Sequence, residues 1–399
     1  MRAAAPAAVL PPRASAGPKP TVLQVLHSLN VGGAEVLAAR LARNLSDRFR
    51  FVFACLDELG TLGEELRQEG FTVEVMGRKP GFDLGCVRKL ARMARAEQAD
   101  MIHAHQYTPF FYSRAPGSLL RRPPVLFNEH GRFHPDLPNR KRMIFNRLFL
   151  RRVDRVVAVG GAVKQALIEN EGIPASRIEV IHNGVRLADF SADESLRRQV
   201  RAELGIDESN FVAIQVARLD YLKDHCTAVR TAERVARQGP SFKLLLVGEG
   251  PERQKIEAEI ARRGMQQHVR LLGQRSDVPR LLAAANLFLL TSISEGIPVT
   301  FIEAMGAALP IVSTDVGGVR EVVEPNGTGL LAGAGDDAAL SAAVLRLAGD
   351  QRLRQQLGER GRARAEELFS EDEMHERYSA LYCQMIRRPT TVNVANPAP

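Results

Sequence analysis

Residues 21–45 read TVLQVLHSLNVGGAEVLAARLARNL, and this stretch decides what kind of fold to expect. A short apolar strand, Thr21–Ser28, runs into a turn at Gly32-Gly33, and Ala34–Leu45 then carries apolar residues at helical spacing. The theme repeats. Arg50–Leu56, Thr72–Met76, Met101–Ala104, Val125–Asn128, Val156–Val159 and Ile178–Ile181 read as strands, with helices over Leu62–Glu69, Leu84–Ala96 and after Gly160-Gly161. A polar, charged stretch near 191–209 interrupts the pattern. It restarts with strands at Phe211–Val216, Lys243–Val247, Val269–Leu272, Leu287–Leu290 and Ile311–Thr314. Strands that alternate with helices build parallel sheets covered on both faces. The expectation is an α/β chain of two doubly wound, Rossmann-like domains facing each other across a cleft, with ligands at the carboxyl ends of the strands.

Length and composition agree with that division. The 399 residues exceed one ordinary core, and 45% apolar with 25% charged residues excludes global disorder. No apolar run reaches the ~18–20 residues a membrane-spanning helix needs. Cys55, Cys86, Cys226 and Cys383 lie far apart with no Cys-x-x-Cys pair, which argues against a disulfide scaffold or structural zinc and for a reducing, cytoplasmic setting. Residues 1–20 read as a disordered leader rich in Ala and Pro, and 389–399 as a disordered tail.

The charge is lopsided. Residues 1–200 hold 30 Lys/Arg against 20 Asp/Glu, a net +10, whereas the rest of the chain carries −2. An anionic partner for the first half follows, either a nucleic acid or an anionic membrane surface; an arginine-rich composition without function is the alternative. Aromatic residues are only 6% with no Trp, and no nucleic-acid motif is present, so a nucleic-acid partner is set aside. The segment 138–152, PNRKRMIFNRLFLRR, interleaves bulky apolar and basic residues. With Arg88 and Arg92 on the helix Leu84–Ala96, its Arg147 and Arg151 make a candidate acceptor or membrane surface. The competing reading packs the apolar side chains inward and leaves the arginines merely solvated.

Three glycine turns could aim backbone N–H groups at an anion: Gly32-Gly33, Gly248-Glu249-Gly250 and Gly317-Gly318. None matches a dinucleotide fingerprint or a phosphate loop. Arg218 and Lys223, in VARLDYLKD just past the strand Phe211–Val216, are placed to hold a diphosphate, unless Asp220 and Asp224 simply pair with them. In 291–314, TSISEGIPVTFIEAMGAALPIVST, Glu295 falls in a loop and Glu303 within the following helix, two carboxylates suited to accept sugar and ribose hydroxyls.

With these motifs quoted, the chain from about Thr21 to Met385 resembles the retaining nucleotide-sugar glycosyltransferases of family 4, also called group 1, which have the two-domain GT-B fold. The resemblance is carried most specifically by LLLVGEGPER, LLGQRSDVPRLLAAANLFLLTSISEGIPVTFIEAM and DVGGVREVVEPNGTGLL, and by HSLNVGGAE, IHAHQ, NEHG and VIHNGV in the first half. It implies an acceptor-binding domain over 21–190, a nucleotide-sugar-binding domain over 191–369, and a C-terminal helix, 370–388, crossing back to the first. It implies that Arg218 and Lys223 hold the donor diphosphate, that Glu295 meets the transferred sugar beside the backbone N–H groups around the stretch Gly296, Ile297 and Pro298 (the proline itself has none), and that Glu303 holds the ribose. Gly33 and Gly248 would border the donor phosphates, Arg275, Ser276 and Val278 would flank the base, and His130 would line the sugar and acceptor site.

There are departures from the family pattern. Its glycine before the phosphate arginine is Ala217, its glycine after the lysine is Asp224, and the glycine of the helix-to-strand turn gives way to Leu309-Pro310. The implied activity is retaining transfer by front-face attack from a UDP- or GDP-linked sugar to a saccharide or lipid-linked hydroxyl, in cell-surface polysaccharide, lipopolysaccharide or glycolipid synthesis. Neither cofactor nor metal is expected, and the protein would be cytoplasmic, peripheral at the inner face of a membrane. A nucleotide-sugar epimerase on a similar fold and a non-catalytic nucleotide-sugar-binding protein are the rival readings.

Overall fold

The computed structural model describes residues 18–115, 123–131, 138–190, 193–239 and 241–386. Most of the expected leader and the whole of the expected tail lie outside the described residues. The first sheet contains β1 (Thr21–Leu26), β2 (Arg50–Cys55), β3 (Thr72–Val75), β4 (Met101–His105), β5 (Val125–Glu129), β6 (Arg155–Ala158) and β7 (Ile178–Val180). The second contains β8 (Phe211–Val216), β9 (Phe242–Val247), β10 (Val269–Gly273), β11 (Leu287–Leu290), β12 (Ile311–Thr314) and β13 (Gly329–Ala332). Their orders are β3-β2-β1-β4-β5-β6-β7 and β10-β9-β8-β11-β12-β13. All pairings are parallel. In each sheet the winding reverses beside the central strand, between β1 and β4 and between β8 and β11, which opens a crevice at the carboxyl ends there. The expectation of two doubly wound domains is met.

Burial on both sheet faces explains the composition of the strands. Leu23 and Val25 of β1 join one apolar cluster and Val22 and Leu26 join another. Alternate residues of one strand thus feed opposite layers. Two elements escape the alternation rule. The helix Glu194–Glu203 has only Val200 and Arg201 buried and is launched by Asp193, which accepts from Ser195 N at 2.8 Å. Arg201 is fully buried because backbone carbonyls receive it, Ala284 O at 3.0 Å and Asp207 O at 3.1 Å among them. The edge strand β13, Gly329–Ala332, has a glycine at its start and only Gly329 and Leu330 buried, so it lacks the apolar run that marks the equally short β11 and β12.

The chain passes between the domains twice. The first crossing follows β7 through residues 183–190; the second follows the helix Gln351–Leu368, after which Glu371–Ile386 lies against the first sheet. Met374, Tyr378, Leu381 and Tyr382 of that last helix share a core with Val22, Leu41, Phe49 and Phe51. The two crossings are bonded to one another: Val185 N donates to Phe369 O at 3.0 Å and Glu371 N to Val185 O at 3.3 Å.

Two family glycines that this chain lacks leave a mark on its backbone. Asp224 takes φ 39° and ψ 55°, a left-handed conformation that Asp tolerates, and its carboxylate caps the helix His225–Gln238. In the turn before β12 the left-handed position is Ala308, at φ 54°, one residue ahead of Leu309-Pro310. Alanine has no side-chain hydrogen bond to offset that cost. Ala308→Gly should therefore stabilise the protein by roughly 1 kcal/mol in urea unfolding; an unchanged or lower midpoint would refute the strain.

Candidate functional site

Residues that follow β1 and β8 to β10 line one cavity of 440 Å³ between the domains, within the ~300–1,000 Å³ range of small-molecule sites. On the first-domain side the helix Gly33–Asn44 begins here; its N-cap, Gly32, has no side chain to offer, and the Glu35 carboxylate folds back over Gly32 onto its own backbone N–H. The remaining N–H donors and the positive dipole end lie at the cavity wall. A Cβ built on Gly33 would meet nothing within 4 Å, so the protein itself does not need a glycine there; the open space does.

Across the cavity stand Arg218, Gly248, Arg275, Val278 and Glu303. Arg218 is exposed and makes no ion pair among the described residues. The two aspartates that might neutralise it are committed elsewhere. Asp220 accepts from Leu222 N at 3.0 Å and Asp224 from Thr227 N at 3.2 Å. Gly248 sits at φ 142°, where a Cβ would lie 2.0 Å from the carbonyl oxygen of Ala217. Arg275 is held in a bidentate pair by Asp277, both contacts 2.7 Å, while Ser276 is exposed and stands outside the lining.

A second cluster sits deeper. Lys223 Nζ and Ser292 Oγ both contact Glu295 Oε1, each at 2.5 Å, and the Glu295 side chain is only 7% exposed. The loop that follows is packed backbone on backbone. At Gly317, φ 53°, a Cβ would fall 2.0 Å from Glu295 O, and at Gly318 it would fall 2.2 Å from Gly296 O. Gly296 faces Gly131 and the His130 carbonyl across the cleft, with 3.5 and 3.8 Å to its virtual Cβ. Ile297 reaches Gly160 in the same way, and Pro298 is the N-cap of the helix Val299–Gly306 that carries Glu303.

One bridge between the domains was not anticipated from sequence. Glu321 accepts from Gly161 N at 2.5 Å and Ala162 N at 2.7 Å, filling the N-terminus of the first-domain helix Gly161–Glu171. The only hint in the chain is an acid three residues after Gly317-Gly318, with an uncapped Gly160-Gly161 helix start far upstream.

The description "Glycosyl transferases group 1" matches residues 197–364, and "Glycosyltransferase Family 4" matches residues 31–189. The chain belongs to the group 1 glycosyltransferases. Among curated relatives, the N-acetyl-alpha-D-glucosaminyl L-malate synthase of Bacillus anthracis is 27% identical over 370 residues, covering 90% of this chain and 95% of the relative. The UDP-Gal:alpha-D-GlcNAc-diphosphoundecaprenol alpha-1,3-galactosyltransferase of Escherichia coli is 24% identical, covering 68% and 72%. Among solved structures, Anabaena HepE in complex with UDP and glucose superposes with TM-score 0.80 at 25% identity, over 91% of this chain and 99% of that one. A Rickettsia africae glycosyltransferase gives TM-score 0.82 at 21% identity, over 93% and 100%. The fold of this glycosyltransferase is GT-B.

Its basic surface is built from two elements. The helix Arg140–Phe149 buries only Asn146. Phe145 packs inward on Phe110 and Phe111, but Ile144 is 61% and Leu148 69% exposed. Beside them Arg140, Met143, Arg147, Leu150 and Arg177 line a 520 Å³ groove. Arg88 and Arg92 are exposed, and the loop before their helix joins the same flank through Phe82 on Phe111. Arg151 is exposed next to this groove in sequence. No described helix is long and apolar enough to cross a membrane, and no described group of three or more His, Cys, Asp or Glu is placed to hold a metal ion.

Burial in the cavity wall pushes the Glu303 carboxyl up to about 7, with Arg40 opposing weakly. An acid whose folded pKa is raised loses stability as pH climbs from its unfolded value, ~4.3, to the folded one. Glu303→Gln should thus stabilise this glycosyltransferase more at pH 8 than at pH 5, by roughly 2 kcal/mol in urea unfolding, and lose its effect below about pH 4. Equal effects at both pH values would contradict the assignment.

Proposed function

We propose that this glycosyltransferase moves a sugar, with retention, from a UDP- or GDP-linked donor to a hydroxyl of a saccharide or lipid-linked acceptor in cell-surface polysaccharide or glycolipid synthesis. The observation that carries the reading is Arg218, a guanidinium with no ion pair among the described residues, at the wall of a cavity whose opposite side is the N-terminus of the helix Gly33–Asn44. Such a pairing suits a diphosphate. Solved neighbours titled as complexes with UDP, with UDP and glucose, and with UDP-glucose support a nucleotide-sugar donor.

In this reading the nucleoside end occupies the 440 Å³ cavity, with Glu303 on the ribose and Arg275 and Val278 along the base, and Ser276 at the rim outside the lining. The diphosphate lies between Arg218, Lys223 and the N–H groups near Gly33, with Gly248 beside it. The sugar reaches Glu295 and the backbone of Gly296, Ile297 and Pro298, with His130 on the facing wall. As the anomeric C–O bond to phosphate breaks, negative charge grows on the departing diphosphate, and Arg218 and Lys223 stabilise it. The acceptor oxygen bonds to the same face of the anomeric carbon, and its proton passes to a phosphate oxygen of the leaving group. Lys223 is already engaged by Glu295, so donor binding divides its charge between the carboxylate and the phosphate. The protein cations and the helix dipole supply what a metal would, and closure over the donor limits hydrolysis.

The basic flank would meet the acceptor at an anionic, inner membrane face. The name of the E. coli relative specifies a lipid-diphosphate acceptor, whereas that of the B. anthracis relative specifies L-malate. Exposed Ile144 and Leu148 framed by arginines favour the membrane.

Arg218→Ala should lower turnover by ~10²-fold with an unchanged unfolding midpoint, read as nucleoside diphosphate release across a panel of nucleotide sugars. Near-normal release would sink the donor assignment. For the surface, sedimentation with anionic vesicles should be salt-sensitive, and Arg140→Glu with Arg147→Glu should weaken it by roughly 30-fold at low salt, at about 1 kcal/mol per cation lost. Equal binding to neutral and anionic vesicles would defeat the membrane reading while leaving donor binding untouched.

A further inference from the structure

Beneath the last helix, the first sheet carries polar side chains where an apolar layer would serve packing better. Gln24 of β1 pairs in register with His103 of β4, and Gln24, His103 and His105 are all at most 1% exposed. The rings of His103 and His105 stack at 4.1 Å between centroids, and those of His105 and His130 at 5.1 Å. Buried imidazoles are costly unless their hydrogen bonds are arranged. Here the bonds form a directed chain. Gln24 Oε1 lies 2.6 Å from His105 Nε2, and His105 Nδ1 lies 2.9 Å from His130 Nε2. His103 Nδ1 in turn meets the Tyr382 hydroxyl at 2.7 Å.

We propose that Gln24 and His105 are positioning residues that set the tautomer of His130, so that it presents Nδ1 as a bare acceptor to a substrate hydroxyl. The argument is one of hydrogen counting. A carbonyl oxygen only accepts, so His105 Nε2 carries the hydrogen that faces Gln24. Burial keeps His105 neutral, which leaves its Nδ1 as a lone pair. His130 Nε2 must then donate to it. His130 is also neutral, burial holding its pKa down to about 3, so its Nδ1 carries no hydrogen. That atom is buried and has no hydrogen-bond partner among the described residues. His130 and Gly131 abut Gly296, in the loop assigned above to the donor sugar, so a hydroxyl of the sugar or acceptor is the donor that would complete it. The inference rests on the glycosyltransferase reading for the identity of that hydroxyl, but not for the tautomer.

The test is spectroscopic. In protein labelled with 15N at the histidine rings, two-bond proton–nitrogen spectra distinguish Nδ1–H from Nε2–H, and His130→Gln identifies the His130 signals. The wild type should show His130 protonated at Nε2. His105→Leu should convert it to a mixture of tautomers and lower turnover about tenfold, the worth of one hydrogen bond, while nucleoside diphosphate affinity stays within twofold. Gln24→Met serves the same purpose if His105→Leu does not fold. A wild-type His130 protonated at Nδ1, or a tautomer indifferent to both substitutions, overturns the proposal. Absent nucleoside diphosphate binding would instead overturn the donor reading, with the tautomer result standing on its own.

Discussion

Everything at the reaction end of the cleft depends on one contact between two stretches of backbone. Gly317 and Gly318 lie against the carbonyl oxygens of Glu295 and Gly296 so closely that a single methyl group on either would collide with an oxygen. That contact holds the loop after β11 in place. From there Glu295 reaches Lys223, Gly296 meets the His130–Gly131 wall, and Glu321, just past the glycines, crosses to the other domain. A loop free of this restraint would leave Lys223 and Glu295 without a fixed geometry.

Both carboxylates in the segment 291–314 sit in surroundings that a stability-optimised protein would avoid, and they differ in how the cost is met. Glu295 is paired with Lys223 and Ser292, with nearly all its surface removed from water. Glu303 has no such partner among the described residues, and burial makes it hold its proton more tightly. One group is poised by pairing and the other by burial, two separate routes to a prepared acceptor.

Much of the layout was legible because it is local. The strand starts, the glycine turns and the placement of Arg218 beyond β8 follow from alternation, and a residue just past a parallel strand must stand at the crevice. What stayed hidden is contact across sequence. Lys223 and Glu295 are 72 residues apart, and nothing in either segment announces the pair. Glu321 on the Gly161 helix and the Gln24–His105–His130 chain join elements whose side chains look unremarkable singly. The helix Glu194–Glu203 was invisible for the opposite reason: its polar face dominates its composition, and its one large buried side chain is an arginine. In the helix Arg140–Phe149 the apolar side chains divide, Phe145 packing inward while Ile144 and Leu148 remain outside, a split that composition alone does not reveal.

The paired crossings between the domains have a mechanical consequence. A single tether would let one lobe twist, slide and tilt against the other. Two tethers, bonded to each other at Val185, Phe369 and Glu371 and pressed together where a Cβ on Gly184 would lie 2.6 Å from the Glu371 Cα, act as two pins of one hinge. Torsion about the long axis would have to break those bonds, so the motion left at low cost is a swing about the line they define. Any approach of Arg218 toward Gly33 across the cavity would then follow that single coordinate.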